Sequence, residues 1–222
     1  MIEWVIVRPK WEEVTEYSYA WCQQIVDWLK EKGIAFIDLG AEDATREKTE
    51  AMLGRYPQAD FCFYNHGNAD CLVAQGGQNN AIDLNNCDLL ANKETYTMAC
   101  LSAKSLGKEV WNKGGKYWGY IDTFSFTTDS VVEFQEAANC GFLYLFIEGD
   151  RENALQRAKA TFNRLALELI DAGKIFAAAC MRNDGDILVY YNAEKPEKEK
   201  KGCLLAFLKL PLLKFLGRAT LN

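Results

Sequence analysis

The chain has one histidine, His66, so any chemistry that needs an imidazole near neutral pH must start there. It follows the apolar stretch Asp60–Tyr64 and precedes Gly67, whose missing Cβ would let a backbone N–H approach a substrate closely. Thirty-four positions later a second apolar stretch, Glu94–Ala99, ends on Cys100. A thiol at a strand-to-helix turn is expected to be biased toward thiolate by the helix N-terminus. A nucleophile and a base at neighbouring strand ends would make a Cys–His pair for covalent catalysis.

The elements that must position this pair read as alternating strands and helices. Trp4–Arg8 is a strand stopped by Pro9. From Trp11 the positions Val14, Ser18, Trp21, Ile25 and Leu29 mark one helical face, closed by Gly33. Ile34–Leu39 is a second strand, and Asp43 is expected to cap a helix running to Arg55. Residues 70–93 read as surface loop or a small hairpin. Cys100-Leu101-Ser102 should lead directly into a helix ending near Gly114, followed by a strand over Lys116–Ile121. Ser130-Val131-Val132-Glu133 reads as a capping box opening a helix toward Gly149, and Ala154–Ala172 as another helix. Asn183-Asp184-Gly185, flanked by Ile175–Cys180 and Asp186–Tyr191, carries a hairpin signal. This alternation predicts an α/β fold, a three-layer sandwich of a mostly parallel sheet with helices on both faces. In such sheets ligands bind beyond the carboxyl ends of the strands, where His66 and Cys100 fall.

The two segments Phe61-Cys62-Phe63-Tyr64-Asn65-His66-Gly67-Asn68 and Thr95-Tyr96-Thr97-Met98-Ala99-Cys100-Leu101-Ser102-Ala103 resemble the clan CD cysteine peptidases of caspase-hemoglobinase fold. The stretch Gly115–Asp122, with the helices to Ala172, is most similar to the prokaryotic CHAT and gingipain-like branches. The resemblance covers roughly residues 2–192 and implies a caspase-like sandwich and a cysteine endopeptidase. Cys100 would attack the scissile carbonyl, His66 would move the proton, and the N–H groups of Gly67 and Cys100 would form the oxyanion hole. The caspase sequence Gln-Ala-Cys-x-Gly is absent, so a preference for Asp at P1, the residue whose carbonyl is attacked, does not carry over. Asp122, ending the strand after Lys116, is the candidate substrate-binding acid and would favour Arg or Lys at P1. A turn-capping role would remove it from the pocket, and Asp70 and Asp129 are alternatives.

Composition narrows the other classes. Residues 193–222 hold seven Lys/Arg against three Glu, so residues 1–192 carry −10 of the net −6, and an acidic body argues against nucleic acid as partner. Eight scattered cysteines without a Cys-x-x-Cys pair read as reduced thiols, with Cys22, Cys140 and Cys180 packing in apolar stretches. Zinc held by Cys62, Cys71, Cys87 and His66 fits no ligand spacing, and no metal or other cofactor is expected. No secretory leader and no apolar run long enough to span a bilayer is visible, so a cytoplasmic location is expected. The organisation expected is a peptidase domain over residues 1–192, a charged linker over 193–202 and an apolar, basic appendage over 203–222. Pro211 interrupts any single helix in that appendage, which is expected to pack on the body or on a regulatory protein partner in preference to a membrane. The partner at the site would be a protein or peptide substrate. A catalytically silent scaffold binding a partner through the appendage is the alternative. A flavodoxin-like or receiver-like module is disfavoured, because the first βα turn, Arg8-Pro9-Lys10, has neither phosphate-binding glycines nor an acidic cluster.

Overall fold

The computed structural model describes residues 1–147 and 150–192; the linker and appendage expected over 193–222 lie outside the described residues. Six strands form the central sheet: β1 (Trp4–Arg8), β2 (Phe36–Gly40), β3 (Asp60–Tyr64), then, after the small strands given below, β7 (Glu94–Met98), β8 (Lys116–Tyr120) and β9 (Leu188–Tyr191). Their order is β2-β1-β3-β7-β8-β9, with every pairing parallel except β8 against β9. The chain is therefore α/β with a mostly parallel mixed sheet, as the alternating pattern predicts.

Alternation along the strands sends side chains to two cores. Ile6, Cys62, Tyr64, Tyr96, Met98, Trp118 and Tyr120 pack under α1 (Glu13–Glu31), α4 (Val131–Ile147), α5 (Arg151–Asp171) and α6 (Ile175–Ile187). Val5, Val7, Phe61, Phe63 and Tyr117 face the opposite way, toward α2 (Arg46–Arg55) and α3 (Leu106–Asn112). Beside them lies a three-stranded antiparallel sheet of β4 (Gly67–Asn68), β5 (Cys71–Val73) and β6 (Asn80–Asp83). That sheet occupies much of the stretch expected to be loop or hairpin, and its Leu72, Ala81 and Ile82 are fully buried. Buried polar groups are tied across the first core: the Tyr64 and Tyr96 hydroxyls both donate to the Ala138 carbonyl, at 3.0 and 2.7 Å. Asn139 on α4 donates to the Trp21 carbonyl of α1 at 3.0 Å. These bonds fix α1 and α4 over the site end of the sheet.

Three local expectations are corrected. Ile175–Ile187 is helix, not hairpin. Ala177, Ala178, Met181, Asp184 and Gly185 are its buried residues, and a Cβ on Gly185 would meet the Phe162 Cβ at 2.7 Å. The glycine serves a close helix–helix approach, which overrides the turn signal, and β9 pairs with β8 instead. Thr45, not Asp43, caps α2, its side chain accepting from the Lys48 amide at 3.3 Å, while Asp43 closes a short 3-10 turn over Ala41–Asp43. Finally, α3 starts at Leu106, so Cys100 does not sit at a helix N-terminus. No described helix is long and apolar enough to cross a membrane.

Candidate functional site

Strands β3 and β7 are paired in parallel with a constant offset: Phe61 lies opposite Thr95, Cys62 opposite Tyr96, Phe63 opposite Thr97 and Tyr64 opposite Met98. The 34-residue spacing between His66 and Cys100 equals this register, so the two residues leave the sheet at the same level, one strand apart. Both also share the parity of Tyr64 and Met98, which face α1. Their side chains accordingly line one cleft of about 280 Å³ with Val14, Thr15, Ser18 and Trp21 of α1 and with Thr123, Phe124 and Phe126 of the loop after β8.

Contacts between the strand ends hold this geometry. Asn65 is buried; its amide N–H donates to the Met98 carbonyl at 3.2 Å and its side chain to the Pro9 carbonyl at 2.7 Å, so one residue clips the ends of β1, β3 and β7 together. Its Oδ1 accepts from the His66 amide at 2.5 Å. At Gly67 a Cβ would lie 2.8 Å from the Cys100 carbonyl oxygen, 2.9 Å from the Ala99 Cβ and 3.3 Å from the Cys71 carbonyl oxygen. The loop bearing His66 thus runs directly against the backbone of Cys100, an approach only glycine permits. The residue after Cys100 is strained: Leu101 has φ +59°, in the left-handed region that costs a leucine roughly 1–3 kcal/mol. Its N–H donates to the Asp122 carbonyl at 3.0 Å, which pins the Cys100 turn to the end of β8.

The imidazole has a partner that sequence reasoning missed. Glu12 stands at the C-terminal end of the β1 loop, and its Oε1 lies 2.5 Å from His66 Nε2. Donation of the Nε2 proton to Glu12 fixes the ring and leaves Nδ1 as the acceptor nitrogen. Glu12 falls on the same carboxyl edge of the sheet as the two other groups, but only the parallel pairing of β1 with β3 brings its loop to His66. The indole of Trp11 flanks the ring, with centroids 5.7 Å apart.

The thiol is held differently from the expectation. Cys100 Sγ contacts the Phe124 carbonyl at 3.7 Å, and no hydrogen bond joins it to His66. Burial pushes the thiol pKa up, outweighing backbone amide bonds from Phe124 and from Cys100 itself that pull it down, while the charge of Asp184 adds to the rise. The expected helix-dipole bias toward thiolate is thus corrected: α3 begins too late, and the first amides at its start, Ser105 and Leu106, are spent on the Ala69 carbonyl. Burial thus favours the protonated thiol.

Asp122 does not line the cleft. It is exposed, and its Oδ1 accepts from the Thr123 amide at 2.8 Å, a turn-capping bond. Asp70 is exposed in the turn between β4 and β5, and Asp129 accepts from the hydroxyls of Thr127 and Ser130, at 2.6 and 3.1 Å, with the Thr127 bond the main cause of its lowered pKa. The acid that does reach the site region is Asp184 of α6. Fully buried, it accepts from the Ser125 amide at 3.0 Å and so anchors the loop carrying Phe124 and Phe126, while its second oxygen has no hydrogen-bond partner among the described residues. Burial raises its pKa to about 8. Cys62, Cys71 and Cys87 are buried apart from this site, and among the described residues no three His, Cys, Asp or Glu side chains come together in a way that could hold a metal ion.

No protein-family model, no curated protein and no solved structure matches the chain.

Proposed function

We propose that the protein is a cysteine endopeptidase of caspase-like architecture acting through Cys100 and His66. The observation that carries the reading is the register: two reactive side chains reach one cleft from adjacent strand ends, with glycine backbone packed against the cysteine and a strained residue following it. Strain and close backbone approach at one point are costs that functional sites retain. In this reading the substrate carbonyl lies between the two side chains. Cys100 Sγ bonds to the carbonyl carbon as its proton passes to the imidazole nitrogen not held by Glu12. The departing amine takes that proton as the C–N bond breaks, and water then hydrolyses the thioester, returning a proton to sulfur. The amides of Gly67 and Cys100 remain the candidates for the oxyanion. Because burial favours the protonated thiol, attack and proton transfer are coupled in this reading, not preceded by a stored thiolate.

One observation favours the second reading, a catalytically silent scaffold: the thiol is half-buried and unbonded to the imidazole. A fluorogenic peptide library separates the two. The peptidase reading expects cleavage that Cys100→Ala and His66→Ala each reduce by at least about 1,000-fold while unfolding transitions stay cooperative. Full activity in His66→Ala would overturn it, since there is no second histidine. An intact wild type that cleaves nothing and forms no thioester would leave the scaffold.

A further inference from the structure

We infer that the cleft beside Cys100 receives a large apolar, preferably aromatic, P1 side chain, an inference that rests on the peptidase reading above. The walls are Val14 and Trp21 from α1, Met98 from β7, and Phe124 and Phe126 from the loop after β8; the remaining lining residues are Thr15, Ser18, Asn65, His66, Cys100 and Thr123. None of these is an acid, and the only ionisable groups among them are the candidate nucleophile and base themselves. An Arg, Lys or Asp side chain entering here would lose its hydration without gaining a counter-charge, the most unfavourable of the exchanges open to a substrate. The basic P1 preference that Asp122 suggested has no acid in this cleft to support it.

Size and shape point the same way. A volume of about 280 Å³ holds one large side chain and its immediate backbone, not a run of residues. Trp21 meets Phe126 edge-on at 5.0 Å between centroids and Phe124 at 6.3 Å, with interplanar angles of 73° and 68°. Such a wall offers ring faces and edges to a further aromatic ring. Trp21 is 1% exposed, so its ring is a fixed part of this wall. The loop that supplies both phenylalanines is clamped through the Ser125–Asp184 bond, so the cleft is held before any substrate arrives.

The test measures kcat/KM on peptides that differ only at P1, carrying Phe, Leu, Arg or Asp, for the wild type and for Val14→Glu. Val14 is 48% exposed at the start of α1, where an added acid is tolerated, so this variant should fold. The wild type should prefer Phe over Arg and Asp by at least about 100-fold, and Val14→Glu should narrow the Phe-to-Arg ratio about tenfold or more. Turnover of the Arg or Asp peptide in preference to Phe, abolished by Cys100→Ala, would overturn the apolar cleft and leave the peptidase intact. If no peptide is turned over, the peptidase reading fails. The cleft is then judged on Cys100→Ala by the methyl NMR signal of Met98 during titration with N-acetyl-phenylalanine amide and N-acetyl-arginine amide. A shift with the first alone supports the apolar site, and a shift with neither or with the second overturns it.

Discussion

The two ends of the central sheet both gather buried polar side chains, yet they treat them in opposite ways. At the amino end the Lys93 ammonium donates to the Pro57 and Ala59 carbonyls at 2.5 and 2.8 Å, and Asp60 accepts from the Glu94 amide at 2.7 Å. Glu94 is flanked by Arg151 at 3.4 Å and Lys116 at 3.8 Å. These contacts knit β3, β7, β8 and α5 to one another, and what they join is the protein itself. At the carboxyl end His66, held by Glu12, and Cys100 are each fixed from one side and left facing a cleft on the other. Charge density alone would have picked the amino end. What marks the carboxyl end is groups positioned at structural cost with capacity to spare, as the left-handed Leu101 and the crowded Gly67 show.

The sharpest way to break that distinction is to separate the two strand ends. Gly67→Val places atoms where the Cys100 carbonyl and the Ala99 side chain already stand. Displacing the loop should cost about 1–3 kcal/mol in stability and, by moving His66 relative to Cys100, at least about 100-fold in kcat/KM. Denaturant unfolding and peptide turnover check both numbers. A variant with wild-type turnover would mean that the close approach does not set the site.

The next effect concerns the acid behind the cleft. Asp184 keeps its proton in the fold up to about pH 8, whereas the unfolded chain gives it up near pH 4. The unfolded state therefore binds fewer protons between those values, and stability falls as the pH rises through that window. Asp184→Asn keeps an acceptor for the Ser125 amide and removes the titration. Chemical denaturation at pH 5 and pH 8 should show the wild type losing roughly 2–4 kcal/mol that the variant retains. Equal slopes would show that Asp184 is ionised in the fold.

Smaller again is the change at Glu12, a positioning residue for the imidazole. Glu12→Gln retains the length of the side chain but weakens its hold on the Nε2 proton. The expected outcome is a fall of about 10- to 100-fold in kcat with KM nearly unchanged, partial recovery in Glu12→Asp, and an unfolding midpoint within experimental scatter of the wild type. A loss confined to stability would reduce Glu12 to a helix-start residue.

How much of this could be read from the chain follows from where each signal resides. Strand–helix alternation and apolar spacing are local, so the sheet, α1 and α5 were legible, and the spacing of His66 and Cys100 was legible as a number before the β3–β7 register explained it. Glu12 was hidden because its partner is 54 positions away and only the parallel pairing of β1 with β3 brings the loops together. Phe124 and Phe126 lie in an irregular loop whose course is set by Asp184, itself misread because Asn183-Asp184-Gly185 has the chemistry of a tight turn. The late start of α3 was illegible for a related reason. The segment 100–105 spends its backbone bonds on Asp122, Tyr120 and Ala69, partners distant in sequence, and these outcompete immediate helix formation.

The smallest expected effect is at the opposite end of the sheet. Arg151 pairs with Glu94 at 3.4 Å, but its side chain is 36% exposed, so solvent screens the pair. Burial is the leading influence on Glu94 and raises its pKa in spite of the pull of Lys116 and Arg151. Removing one of two cations from a carboxyl that is already hard to ionise should therefore matter little. Arg151→Gln should lower stability by about 1 kcal/mol or less at neutral pH. The sign of its pH dependence follows from Glu94, which moves further up without the arginine and so gives up slightly more stability as the pH rises above 5. On the peptidase reading, turnover should be unchanged, because the substitution lies at the amino ends of the strands and touches no residue of the cleft. Thermal unfolding and kcat/KM on one peptide suffice to check it. A clear loss of turnover with stability intact would couple the two ends and undo the division of labour on which the comparison rests.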